Sequence, residues 1–180
     1  NYIRLLAGAA CDYITEHWPQ ALDQSQTMAN IFKEAHSNYR DAQDYLEEGR
    51  KHCKTKSLQS VLITDLVKAF EKINPHWIRQ ILEIRKAPRW LRRLIEMFIS
   101  PRMSVPKLKR RLLRAVLIAI GVDMGNAIAA WIFCLAIDPI LRYQNQIAKG
   151  IQTKGYMDDT ITTGKGISWL TEVQQAWDKA

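Results

Sequence analysis

The tetrapeptide Tyr156-Met157-Asp158-Asp159 constrains this chain more than any other feature. Its two carboxylates stand between short runs of strand character, 150–156 and 160–163, so the segment reads as a β-hairpin with acids at its tip. Far upstream, Val61-Leu62-Ile63-Thr64-Asp65 reads as a buried strand that also ends on a carboxylate. An Asp-Asp pair alone is most often a solvated turn. Two strands that bring acids to one point make an oxygen-rich pocket suited to Mg²⁺, which is commonly held by one or two carboxylates plus substrate phosphates. A pair of such ions can clamp the attacking and leaving oxygens of a phosphoryl transfer. Between the two acidic sites lies the Gly-bounded turn Gly121-Val122-Asp123-Met124-Gly125.

The charge is unevenly spread. The 180-residue chain carries a formal +8, and between Arg79 and Arg114 twelve Lys/Arg stand against Glu83 and Glu96, a local +10 that leaves the rest at −2. A concentrated basic stretch suits a polyanion, nucleic acid first. The competing uses are a solvated helix face, an acidic protein surface or lipid head groups. Its candidate nucleic-acid contacts are Arg79, Arg85, Lys86, Arg89, Arg92, Arg93, Lys107, Lys109, Arg110 and Arg111. Cys11, Cys53 and Cys134 lack metal-ligand spacing and suggest free thiols in an intracellular, reducing compartment. His17, His36, His52 and His76 form no cluster, which argues against zinc. No Ser/His/Asp set or phosphate-loop motif stands out. The chain opens at Asn1 without a signal-peptide pattern, as a processed product or a piece of a longer protein would.

Periodicity supplies the rest. Residues 1–29 read as helical with a break at Pro19, and 31–54 as a polar helix with Phe32, Ala35, Tyr39, Ala42 and Leu46 at helical spacing. Asn74-Pro75 starts a helix, Asn at the cap and Pro in the first turn, and Pro88 permits a second start running to Ile99. Trp77, Ile81, Ile84, Trp90, Leu91, Leu94, Ile95 and Phe98 give these helices their core faces. Residues 100–106 read as a turn region, 112–120 as a buried strand, 125–143 as a long helix and 167–179 as a final amphipathic helix. The expected class is α+β, an antiparallel sheet with helices on one face. The run 112–137 is long enough to span a bilayer. Asp123 near its middle would cost about 2.5–3.5 kcal/mol there, and Gly121, Gly125 and Asn126 interrupt it, so strand plus helix is the better reading.

Three separated segments resemble one family. Asp65-Leu66-Val67-Lys68-Ala69-Phe70-Glu71-Lys72-Ile73-Asn74-Pro75-His76 resembles the first palm motif of reverse transcriptases of the non-LTR retroelement and group II intron type. Gly121-Val122-Asp123-Met124-Gly125-Asn126, through Phe133-Cys134-Leu135-Ala136-Ile137-Asp138-Pro139, resembles the second, and Tyr156-Met157-Asp158-Asp159 the catalytic hairpin. The resemblance implies a right-hand polymerase palm at 59–180 behind a helical, fingers-like segment at 1–58. It implies RNA-directed DNA synthesis on a primed RNA template with two Mg²⁺ or Mn²⁺ ions. By position, Asp65, Asp158 and Asp159 would be the catalytic and metal-binding carboxylates. Phe70 would be the gate against a ribose 2′-OH, and Gly125, Tyr156 and Met157 would line the nucleotide pocket.

The departures are specific. Asp123, Met124, Asn126 and Ala127 stand where the family usually has a Gln-Gly-Asp-Pro type core, with Ala129 and Ala130 at its small-polar and Pro positions. The interval from Asp65 to Gly121 is short for the family, and one helix follows the hairpin, so no thumb is expected. These features keep a second reading open. In it the chain is a catalytically silent, retroelement-derived structural subunit of a larger complex, organellar or membrane-associated, with protein partners in place of primer and template.

Overall fold

The computed structural model describes residues 2–18, 21–27, 35–51, 58–123, 127–147 and 150–178. In chain order its elements are α1 (Tyr2–His17), α2 (Ala35–Lys51), β1 (Gln59–Asp65), α3 (Pro75–Ile84), α4 (Arg89–Ile99), β2 (Arg102–Ser104), β3 (Lys107–Leu108), β4 (Arg111–Leu112), β5 (Val116–Ile118), α5 (Ala127–Ile147), β6 (Gln152–Tyr156), β7 (Asp159–Lys165) and α6 (Trp169–Asp178). A short 3-10 turn, Phe70–Lys72, follows β1. The chain is α+β with an antiparallel sheet, as expected, but its helices pack on both faces of that sheet rather than on one. It divides into two compact units, one formed by 1–13 with 68–136, the other by 14–67 with 137–180.

The second unit is built on an antiparallel sheet in the order β1-β7-β6. Strand β7 is central because its residues can be buried on both faces: Thr160, Ile161 and Thr162 are all enclosed. Buried hydroxyls need partners. They find them across the strands, Thr64 with Thr160, and Thr153 with Thr162 at 3.1 Å. On this same face a Cβ at Gly155 would lie 2.8 Å from Leu141 of α5, and one at Gly164 would lie 2.6 Å from the indole of Trp169 in α6. The missing side chains are what let α5 and α6 approach. Helix α2 packs at the other face against β1 and β7, with Ala42 and Ile161 buried and Lys154 bonded to Asp41 at 2.5 Å.

Edge strand β6 is covered. Gly155 donates its N–H to the Ser25 carbonyl (2.8 Å), and the Thr27 hydroxyl donates to the Gly155 carbonyl (3.0 Å). Thus Ser25 and Thr27 serve the sheet rather than a helix, where helix had been expected through 29. Asp138, fully buried on α5, accepts from the Asp23 N–H (2.6 Å) and from Arg142 (2.7 Å), fixing this segment to the helix. Strand β1 is the other edge, and Ile63 is 54% exposed, so the expectation of a fully buried first strand is corrected. Among the described residues it pairs with β7 alone.

In the first unit the two Pro-initiated helices form where expected. Asn74 accepts from the His76 N–H at 2.9 Å, capping α3. The core takes Ile78, Ile81 and Leu82 from α3 and Leu91, Ile95 and Ile99, a single i, i+4, i+8 stripe, from α4. Trp77 and Trp90 fall beside these stripes and remain about two-fifths exposed, and Ile84 is exposed, which corrects their assignment to the core.

The stretch 102–118 departs most from expectation. Strand β2 pairs with β5 and β3 with β4, forming one antiparallel ribbon with Lys109 and Arg110 at the tip. Leu112, Leu113, Val116 and Leu117 are exposed on it rather than buried in a core strand. No helix among the described residues is long and apolar enough to cross a membrane. Cys11 and Cys134 are thiols, and burial, with Asp12 adding, pushes the Cys11 thiol up to about 11, far from a reactive thiolate. Cys53, Pro19 and Phe32 lie outside the described residues.

Candidate active site

The sheet register assembles the acids. Strands β6 and β7 join through the two-residue loop Met157-Asp158, closed by the pair Tyr156↔Asp159. Asp65, the last residue of β1, lies directly opposite Asp159, so both side chains leave the same face of the sheet. Residues so paired have Cα atoms about 4.5–5.5 Å apart. Past the end of β1, Leu66 donates its N–H to the Asp158 carbonyl at 3.3 Å, which ties the hairpin loop to the first acidic segment. Asp65 is exposed, and Asp158 and Asp159 are half-buried.

Like charges placed directly opposite on a sheet repel. The effect is visible at Asp159: burial raises its carboxyl above the ordinary value, and the charges of Asp158 and then Asp65 raise it further. Met157 at the first loop position has φ of 53°, a left-handed conformation that costs a non-glycine residue about 1–2 kcal/mol. Strain of this kind persists where surrounding pairing over-determines the backbone, and here β7 is paired on both sides.

The donor set is all oxygen and its members repel one another, which is what a hard divalent cation relieves. Among the described residues no group of three or more His, Cys, Asp and Glu stands ready as a metal cage.

The first unit brings the other two motif segments together. Gly121 donates its N–H to the Ile73 carbonyl at 2.9 Å, and Val122 to the Phe70 carbonyl at 3.0 Å. Gly121 has φ of 84°, and a Cβ there would lie 2.6 Å from the Glu71 carbonyl oxygen, so only glycine fits both the conformation and the space. Phe70 stacks on Phe133 of α5 with ring centroids 4.9 Å apart. Asp123 is held by Arg102, whose guanidinium also donates to the Gly121 carbonyl at 3.3 Å. The extra negative charge of the second motif therefore has a dedicated cation. Arg102 was not singled out in the sequence, where nothing near it marks a partner twenty-odd residues away. Gly125 lies outside the described residues.

The ten basic candidates all belong to the first unit. Arg79 is taken by Glu96, two bonds of 2.9 and 2.6 Å. Arg85 and Lys86 lie at the corner after α3, and Arg89, Arg92 and Arg93 are exposed on α4. Lys107, Lys109, Arg110 and Arg111 cluster at the exposed end of the β2–β5 ribbon.

The family model described as reverse transcriptase (RNA-dependent DNA polymerase) matches residues 14–179. The chain belongs to that family. Among solved structures it is similar to apo telomerase from Candida tropicalis truncated from its C-terminal domain, at 11% identity and TM-score 0.59, over 97% of this chain and 36% of that one. It is also similar to telomerase from Candida albicans in complex with a TWJ fragment of telomeric RNA, at 8% identity and TM-score 0.64, over 97% and 31%. At such identity the likeness is one of fold, and the chain spans about a third of either telomerase. No curated protein matches it.

Proposed function

We propose that the chain performs two-metal nucleotidyl transfer on a primed RNA template, with 59–180 as the palm and 1–58 as a fingers-like segment. The observation that carries this reading is the register that sets Asp65 opposite Asp159 while Leu66 holds the Asp158 carbonyl. Asp65 and Asp158 present carboxylate oxygens for two Mg²⁺ or Mn²⁺ ions, and Asp159 supports the site. When bound, such ions lower the pKa of a 3′-hydroxyl nucleophile and neutralise the leaving pyrophosphate. Phe70, its ring steadied by Phe133, acts against a ribose 2′-OH. Tyr156 and Met157 line the nucleotide pocket, and the exposed cations of the ribbon end, Lys107, Lys109, Arg110 and Arg111, hold the phosphates of the RNA template and DNA primer. The test is Mn²⁺ binding followed by electron spin resonance. Asp158→Asn should weaken binding sharply, and unchanged binding in that variant sinks the reading.

The second reading, a catalytically silent retroelement-derived subunit of a larger complex, draws on Arg102 and Asp123. That ion pair stands where the family usually carries its second-motif core, in keeping with a segment released from its nucleotide. Native material recovered as a lone monomer counts against this reading.

A further inference from the structure

Helix α4 carries two apolar stripes and needs one of them for its own core. Leu91, Ile95 and Ile99 are buried. Trp90, Leu94 and Met97, spaced i, i+4, i+7, line instead an open groove of about 920 Å³ against α1. The opposite wall is Leu6 and Tyr13, with the small residues Ala9 and Ala10 between them. Met97 is 66% exposed, Leu6 44% and Trp90 43%. Tyr13 and Trp90, from opposite walls, meet edge to face at 4.8 Å, so the two walls touch at that point and are fixed against each other there. A contiguous apolar surface of this kind on a folded domain marks a contact site.

The charge at its border selects the occupant. Arg89 and Arg93, one helical turn apart on α4, both line the groove and are exposed, and neither takes part in an ion pair among the described residues. Arg79, on the neighbouring α3, already has Glu96. A groove with two apolar walls and a cationic rim is complementary to an amphipathic helix whose apolar face is flanked by Glu or Asp. We propose that this groove docks an acidic amphipathic helix of a partner polypeptide, and that Arg89 and Arg93 serve that contact rather than nucleic acid. The inference is independent of catalysis by the aspartates.

The experiment is tryptophan emission of the full chain titrated with two synthetic helices. Both carry leucines at i, i+3, i+4 and i+7; one is flanked by Glu, the other by Lys. The Glu-flanked helix should bind saturably and the Lys-flanked one about tenfold more weakly. The double variant Arg89→Glu/Arg93→Glu, altered at exposed positions, should invert that preference. The inversion cannot arise from misfolding. Equal binding of both helices, binding of neither, or no inversion overturns the proposal. Phosphatidylserine vesicles or an RNA oligonucleotide that displace the Glu-flanked helix through the same two arginines would assign the groove to a bilayer or to nucleic acid instead.

Discussion

Asp159 is a carboxyl placed against its own stability. It lies opposite one aspartate and next to another, and its proton affinity is raised by burial and by both neighbours. Removing the charge should therefore stabilise the fold while damaging the site. Like charges opposite on a sheet cost on the order of 0.2–1 kcal/mol, so Asp159→Asn should raise Tm by about 1–3 °C in a chain of this size. A lowered Tm in calorimetry would show that the carboxylate is structurally required. Gly121→Ala is the contrasting case: with φ of 84° and the Glu71 carbonyl 2.6 Å from the added Cβ, it should cost about 1–3 kcal/mol in urea unfolding. At this scale the acids were legible, because Asp65, Asp158 and Asp159 end or interrupt strand patterns. The left-handed Met157 was not, since no Gly or Asn marks the turn. Arg102 was not either, because its bond to Asp123 exists only once the ribbon has folded back.

The elements read from the sequence are those with local signals. Helices α3 and α4 announce themselves through Asn74-Pro75 and Pro88, and the structure starts them at Pro75 and Arg89. The ribbon 102–118 has none. Its strands are three and two residues long, both faces meet solvent, and its tip bends through Lys109 (φ 45°) and Arg110 (φ 68°) instead of the usual Asn-Gly. Replacing that tip with Asn-Gly should stabilise the unit by about 1 kcal/mol in urea titrations, by removing left-handed strain; a loss would mean the tip is held by contacts. Between α3 and α4, Arg79 holds the Glu96 carboxyl below its ordinary value, first by hydrogen bonding, with Ser100 adding a bond and desolvation opposing. A lowered folded-state pKa gives stability that is present above the unfolded value, 4.5, and lost as pH falls through the folded one. Glu96→Gln should thus lower Tm at neutral pH and flatten its acid limb; parallel acid limbs in variant and parent would remove the link.

At the scale of the whole molecule, the +10 of residues 79–114 falls within one unit and the aspartates within the other. The uneven charge marks the first and the acidic motifs mark the second. Neither reveals that the motif segments divide between two units, because that follows from long-range pairing: β1 with β7, and 70–73 with 121–122. If the ribbon end holds phosphates, affinity for an RNA–DNA duplex should fall linearly in log–log salt plots. Removing Lys107, Lys109, Arg110 and Arg111 together should reduce the slope by about 1 per lost contact. An unchanged slope would move the nucleic-acid path elsewhere. The central claim is that the three aspartates form a working polymerase centre, and primer extension on an annealed RNA template with Mg²⁺ or Mn²⁺ tests it most directly. The account predicts extension by natively purified protein and its loss in Asp158→Asn/Asp159→Asn; no extension by the parent chain, or equal extension by the variant, would contradict it.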